Sequence, residues 1–307
     1  FRRVLFRSPE MPATPNPSMP GEAFMDTPLV NGTAYPYMEV EPKAYRFRIL
    51  NAANDRFFNL QWYVADETVV SADGRGNTEV RMVPAAITPS FPANWPTDGR
   101  DGGVPDPATI GPDWIQIGTE CGFLPAPVVI PAQPVTWNTN ATTFNFGNVE
   151  KHSLLVGTAE RVDVIVDFSA YAGKTLILYN DAPAAFPALD SRYDYYSGCP
   201  DQTDTGGAPP TLPGFGPNTR TIMQVRVANS APQTYDPGQL ETLLPKAFAV
   251  SQDTIIVPTA DYNQVYGKSF PTDPYVRQHA TSVTFNTVSG APNTIVLEPK
   301  AIQDEMG

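Results

Sequence analysis

The chain has 307 residues, 41% of them hydrophobic, which is enough for one large domain or two ordinary ones with real cores. A formal charge of −12 argues against nucleic acid or an anionic membrane as partner, since both select basic surfaces, and no apolar run is long enough to span a bilayer. The 34 prolines, about twice an average share, favour short strands joined by rigid loops over long helices.

The first eight residues, FRRVLFRS, read as the translation of a short-read sequencing adapter and are set aside from fold reasoning. Pro9 to Gly21, PEMPATPNPSMPG, has the composition of an extended polyproline linker. Val30-Asn31-Gly32-Thr33 then carries the Asn-Gly dipeptide of a tight turn, and Pro42 suits the opening of a strand. Tyr45, Phe47 and Ile49 alternate with Arg46, Arg48 and Leu50, the period of a half-buried strand. Asn51 to Arg56 bends the chain, and Phe57 to Val64 reads as the return strand.

Thr88 to Pro112 is dense in Pro, Gly and Asp and predicts a long loop, read either as decoration or as a functional ordered loop. Strands are expected at Ile115 to Gly118, at Leu154 to Val156 and, beyond a Gly157 to Glu160 corner, at Val162 to Val166. Two more fall at Thr175 to Asn180 and Thr221 to Val227, separated by a second long loop from Ala182 to Asn218. Leu240, Leu243, Leu244 and Phe248 are spaced for a short helical face. Asp253 to Val257, Ser282 to Phe285 and Thr294 to Leu297 are strand candidates.

The segment LVNGTAYPYMEVEPKAYRFRILNAANDRFFNL, Leu29 to Leu60, resembles the opening of the middle cupredoxin domain of three-domain multicopper oxidases, the laccase-like group that includes bacterial spore-coat laccases. The resemblance resumes at Asp113 to Pro125, DWIQIGTECGFLP, at Leu154 to Tyr171, LLVGTAERVDVIVDFSAY, and at Thr219 to Val227, TRTIMQVRV. It implies an all-β fold: a cupredoxin-like Greek-key β-sandwich or barrel with long Pro/Gly-rich loops, followed by a connector and the truncated start of a second cupredoxin-like segment. The implied divisions are an adapter artefact at 1–8, an interdomain linker at 9–25, a copper-free middle domain at 26–230, a connector with a short helix at 231–275, and the start of a third domain at 276–307.

Copper centres need several imidazoles and a thiolate. This chain has two histidines, His152 and His279, and neither stands beside a cysteine or in a paired His motif. No catalytic or metal-ligating residue is therefore assigned, and the resemblance places the copper of the parent on ligands outside this segment, with none bound by the segment itself. The implied partners are the first and third cupredoxin domains of the same chain, a small-molecule reductant and dioxygen, with no nucleic acid and no membrane span. A periplasmic, cell-surface or extracellular location is expected on the same ground.

Cys121 and Cys199 have two readings, a disulfide that pins the Tyr-rich loop or a pair of free thiols. Tyr193, Tyr195 and Tyr196 likewise stand either at the rim of the substrate pocket, as the resemblance implies, or packed on their own domain. No nucleophile elbow, phosphate-binding loop or His-Glu-x-x-His helix occurs. The alternative to an oxidase segment is a non-catalytic β-sandwich used for surface binding or as a scaffold.

Overall fold

A computed structural model of the protein describes residues 26–85, 98–120, 122–138, 147, 149, 151–182, 192, 194–205, 207, 209–251, 281–286 and 290–297. At Asn31-Gly32 the backbone takes φ of 49° and 82°, the left-handed values an Asn-Gly turn tolerates, and closes a small hairpin of β1 (Leu29–Val30) on β2 (Thr33–Ala34). β3 (Tyr37–Val40) and β4 (Ala44–Leu50) follow, and along β4 the partly buried Tyr45, Phe47 and Ile49 pack on the main core. The alternation that predicts a half-buried strand is thus realised.

β5 (Phe58–Val64) does not return alongside β4. It crosses to a second sheet, where it lies between β10 (Leu154–Val156) and β12 (Thr175–Asn180), both antiparallel to it. β4 pairs instead with β11 (Arg161–Asp167), the strand after the Gly157 to Glu160 corner, so that corner is a second crossing between sheets. One buried side chain ties the two crossings together. The Asn51 Nδ2 donates to the carbonyls of Arg56 and Val156, each at 2.9 Å, while its backbone exchanges hydrogen bonds with Ala159 and Glu160. Ala159 adopts φ of 67° to complete the corner.

Completing the chain in order are β6 (Met82–Val83), β7 (Val104–Pro105), β8 (Trp114–Thr119), β9 (Gly122–Ile130) and β13 (Thr221–Val227). The sheets are β10-β5-β12-β13-β3 and β4-β11-β8-β9, with the β13–β3 pair parallel, and small β6–β7 and β1–β2 pairs outside them. Neither sheet closes on itself, so the expected all-β fold is present as an open sandwich rather than a barrel.

Between the sheets, Trp62 meets Phe168 edge-on at 5.5 Å and Trp114 at 5.6 Å. The Trp114 indole N–H, from the four-stranded sheet, donates to the Leu60 carbonyl of the five-stranded sheet at 2.7 Å. Leu60, Leu176, Val164 and Val225 fill the rest of this dry layer.

Each outer face is also covered in part. Tyr63, Ile177 and Tyr179 on the five-stranded sheet pack against Ala65 and Val80. On the four-stranded sheet, Ile115 and Ile117 receive Leu244 of helix α1 (Leu240–Ser251). That helix face is narrower than its spacing predicts: Leu240 and Leu244 reach the sheet, whereas Leu243 is 54% exposed. β14 (Thr281–Asn286) and β15 (Pro292–Leu297) form a hairpin, with the Thr284 and Thr294 hydroxyls 2.8 Å apart. The strand expected at Asp253 to Val257 lies outside the described residues.

Candidate functional site

Short polar loops at one end of the five-stranded sheet carry most of the chemistry-bearing side chains. Arg220, at the entrance to β13, is buried and grips Asp194 through two hydrogen bonds of 3.1 and 2.6 Å, while its Nη2 also donates to the Asp101 carbonyl at 2.8 Å. Burial opposes its charge, but the attraction and hydrogen bonds of Asp194, together with Tyr179 and Tyr196, raise its pKa. The same guanidinium lies 3.8 Å from the centroid of the Tyr196 ring, close enough for stacking.

Tyr196 is thereby packed onto its own domain, 8% exposed, with burial pushing its hydroxyl up to about 12. The chain facing the ring is Gly102, at φ of 76°, where an added Cβ would stand 2.4 Å from the Tyr196 ring. Tyr195 is half-buried and joined to Thr219 by backbone and hydroxyl hydrogen bonds. Tyr193 lies outside the described residues.

A second arginine organises the neighbouring loops. Arg100 donates to both Asp98 carboxylate oxygens, at 3.0 and 2.7 Å, to the Asp181 carboxylate at 2.9 Å, and to the carbonyls of Asp181 and Val135 at 2.8 Å. The carboxylate side chains are nearly closed to solvent, at 5% for Asp98 and 1% for Asp181. Burial raises the Asp181 carboxyl to about 6, against the pull of Arg100. The Arg100 pKa is raised as well, because two carboxylates outweigh its own burial. Arg56 is also buried here, and desolvation lowers its pKa against the attraction of Asp194.

On the outer side of β13 a cavity of about 440 Å³ opens between the 75–79 loop, the 214–218 loop and β3. Tyr35, Tyr37 and Phe215 supply its aromatic walls. The Arg226 guanidinium stacks 3.7 Å over Tyr37, and Arg75 lies 5.0 Å from Phe215. Glu79 is fixed in the wall by the Gly214 N–H at 2.7 Å, and burial raises its pKa.

Sequence reasoning singled out the Tyr loop but neither the Arg100 and Arg220 clusters nor this cavity. The pairs that join separate loops are far apart in sequence, 81 residues for Arg100 and Asp181 and 26 for Arg220 and Asp194.

His152 is exposed just before β10, with its carbonyl accepting from Gln133 at 3.2 Å, and His279 lies outside the described residues. Among the described residues no three His, Cys, Asp or Glu side chains converge as a metal would require. Cys199 is buried, its sulfur 3.8 Å from the Pro209 carbonyl and 3.9 Å from the Thr211 hydroxyl. Cys121, its expected partner, lies outside the described residues.

Comparison with known proteins finds the chain similar to laccases over part of its length. It is 30% identical over 179 residues to a laccase of Bacillus subtilis (strain 168), covering 57% of this chain and 22% of that protein. A laccase of Bacillus stratosphericus is 32% identical over 175 residues, covering 57% of this chain and 21% of its own length. Among solved structures, the McoA multicopper oxidase from the hyperthermophile Aquifex aeolicus aligns with a TM-score of 0.32 at 21% identity, over 69% of this chain and 26% of that one. No family model matches the chain.

The chain is thus homologous to laccases and multicopper oxidases over more than half of its length, and a piece of a laccase-like multicopper oxidase fits it. It spans about a fifth of the length of these curated relatives.

Proposed function

We propose that the chain is the copper-free middle domain of a laccase-like multicopper oxidase, a spacer that holds the first and third cupredoxin domains in position and is inactive alone. The parent couples one-electron oxidation of four reductant molecules, phenolic, aromatic or metallic, to reduction of one dioxygen to two waters, with four protons taken up. The observation that carries this reading is the homology with laccases over 179 residues at 30% identity. The folded sandwich is compatible with a spacer role.

In this reading, 9–25 is the linker from the first domain, 26–230 the middle domain, 231–275 the connector and 276–307 the beginning of the third. Copper is held by ligands in the flanking domains, and the parent acts in the periplasm, at the cell surface or outside the cell. Among the described residues no helix is long and apolar enough to cross a membrane. In the same reading the tyrosine loop borders the substrate pocket, with the half-buried Tyr195 as its contribution among the described residues, whereas Tyr196 is packed on its own domain. Cys121 and Cys199 keep both readings here, a disulfide or two thiols, and in the structure Cys199 is a buried free thiol.

The test is the parent gene. Upstream sequence should encode two His-x-His pairs, and downstream sequence His-x-x-His-x-His and then His-Cys-His. Flanking β-domains that lack these motifs would overturn the oxidase reading in favour of a scaffold.

A further inference from the structure

A single guanidinium serving two buried carboxylates is one positive charge short of full compensation. At the Arg100 cluster the shortfall is uneven. Asp98 receives three hydrogen bonds from Arg100, two from its guanidinium and one at 3.3 Å from its backbone N–H, and a fourth, at 3.2 Å, from the Trp137 backbone N–H. Asp181 receives one from Arg100 on Oδ1 and a weak attraction from the Val135 backbone N–H, and its buried Oδ2 has no partner within hydrogen-bond geometry.

The other groups around Asp181 do not supply the missing charge. From β5 come the neutral Tyr63 and the Asn59 carboxamide, neither atom of which has a partner; Asn59 sits opposite Asp181, accepting its N–H at 2.8 Å. From β12 comes the neutral ring of Tyr179, and from the 131–138 loop only the Val135 backbone. Arg220 contributes attraction from β13, but its guanidinium is committed to Asp194.

We infer that Asp98, Arg100 and Asp181 form a proton-responsive clamp, in which Asp181 takes up one proton in mild acid and thereby stabilises the packing of the 98–103 loop against the five-stranded sheet. A neutral carboxyl on Asp181 leaves Arg100 in a one-to-one pair with Asp98 and removes the poorly compensated charge from a dry site.

The direction follows from linkage. The folded carboxyl, raised to about 6, holds its proton more tightly than the unfolded one. Its stabilising contribution is therefore complete below the ordinary carboxylate range and is lost as pH rises through about 6. Asp66, Asp73 and Asp201, lowered mainly by hydrogen bonds, act in the opposite sense and at lower pH. Glu79, raised by burial, acts in the same sense as Asp181, so the contribution of Asp181 is read from a difference between variants.

The experiment has two arms on the full chain. Titration of the Asp181 carboxyl carbon by NMR should give a midpoint near pH 6; a midpoint at or below an ordinary aspartate's would overturn the proposal. In denaturant unfolding between pH 4.5 and 7.5, the wild-type folding constant should gain roughly twentyfold on acidification from this group alone, and Asp181→Asn should lose that gain. An unchanged pH slope in Asp181→Asn would contradict the clamp, and if that variant fails to fold, the carbon titration of the unmodified chain still decides.

Discussion

The two faces of the five-stranded sheet are held by different physics. The inner face is dry and aromatic: Trp62, Phe168, Phe47 and Trp114 interlock with centroids 5.5 to 6.3 Å apart. The outer face, toward the end where β12 meets β13, is held by Arg100 and Arg220, each gripping loops from several parts of the chain. Apolar contacts are tolerant of direction and scale with the area removed from water, whereas buried ion pairs demand geometry and penalise any unpaired remainder. The inner face thus supplies the bulk of stability, and the outer face fixes which loops lie where.

Four substitutions test this contrast, taken from the largest expected effect to the smallest. Trp62→Ala empties the centre of the sandwich and should cost about 4 kcal/mol, seen as a fall in the urea midpoint without a change in its slope. Arg220→Met leaves Asp194 buried without its partner and should cost about 3 kcal/mol, with loss of proteolytic resistance concentrated in the 194–219 loop. Gly102→Ala combines a left-handed backbone with a collision against the Tyr196 ring, and should cost about 2 kcal/mol in the same assay. Arg46→Ala removes the surface pair to Asp163 on the four-stranded sheet, where Arg46 is 41% exposed, and should shift stability by less than about 1 kcal/mol. If Arg220→Met proved as mild as Arg46→Ala, the outer network would be decoration rather than a fastening.

The same contrast separates what the sequence made legible from what it did not. β12 and β13 fall where their apolar runs predict, and β4 shows its alternation plainly, because each has one face on the inner core. The Asn-Gly turn was readable because only a few residues accept positive φ. The pairing of β4 was not readable: a strand followed by a bend and another strand looks like a hairpin, and only the shared bonds of Asn51 reveal that both crossings leave one sheet for the other. The tyrosine loop was visible as composition, but the Arg220 that stacks on Tyr196 lies 24 residues away and carries no periodic signal. The helix was visible by spacing, yet spacing alone assigned Leu243 to a buried face that it does not join.

The central claim, a domain that positions copper-bearing neighbours without holding copper itself, is tested most directly by the metal content of the purified chain after copper(II) loading and removal of excess. The expected result is substoichiometric copper with no blue thiolate-to-copper absorbance and no oxidation of a phenolic dye. One tightly held copper per chain with that blue absorbance would contradict the account.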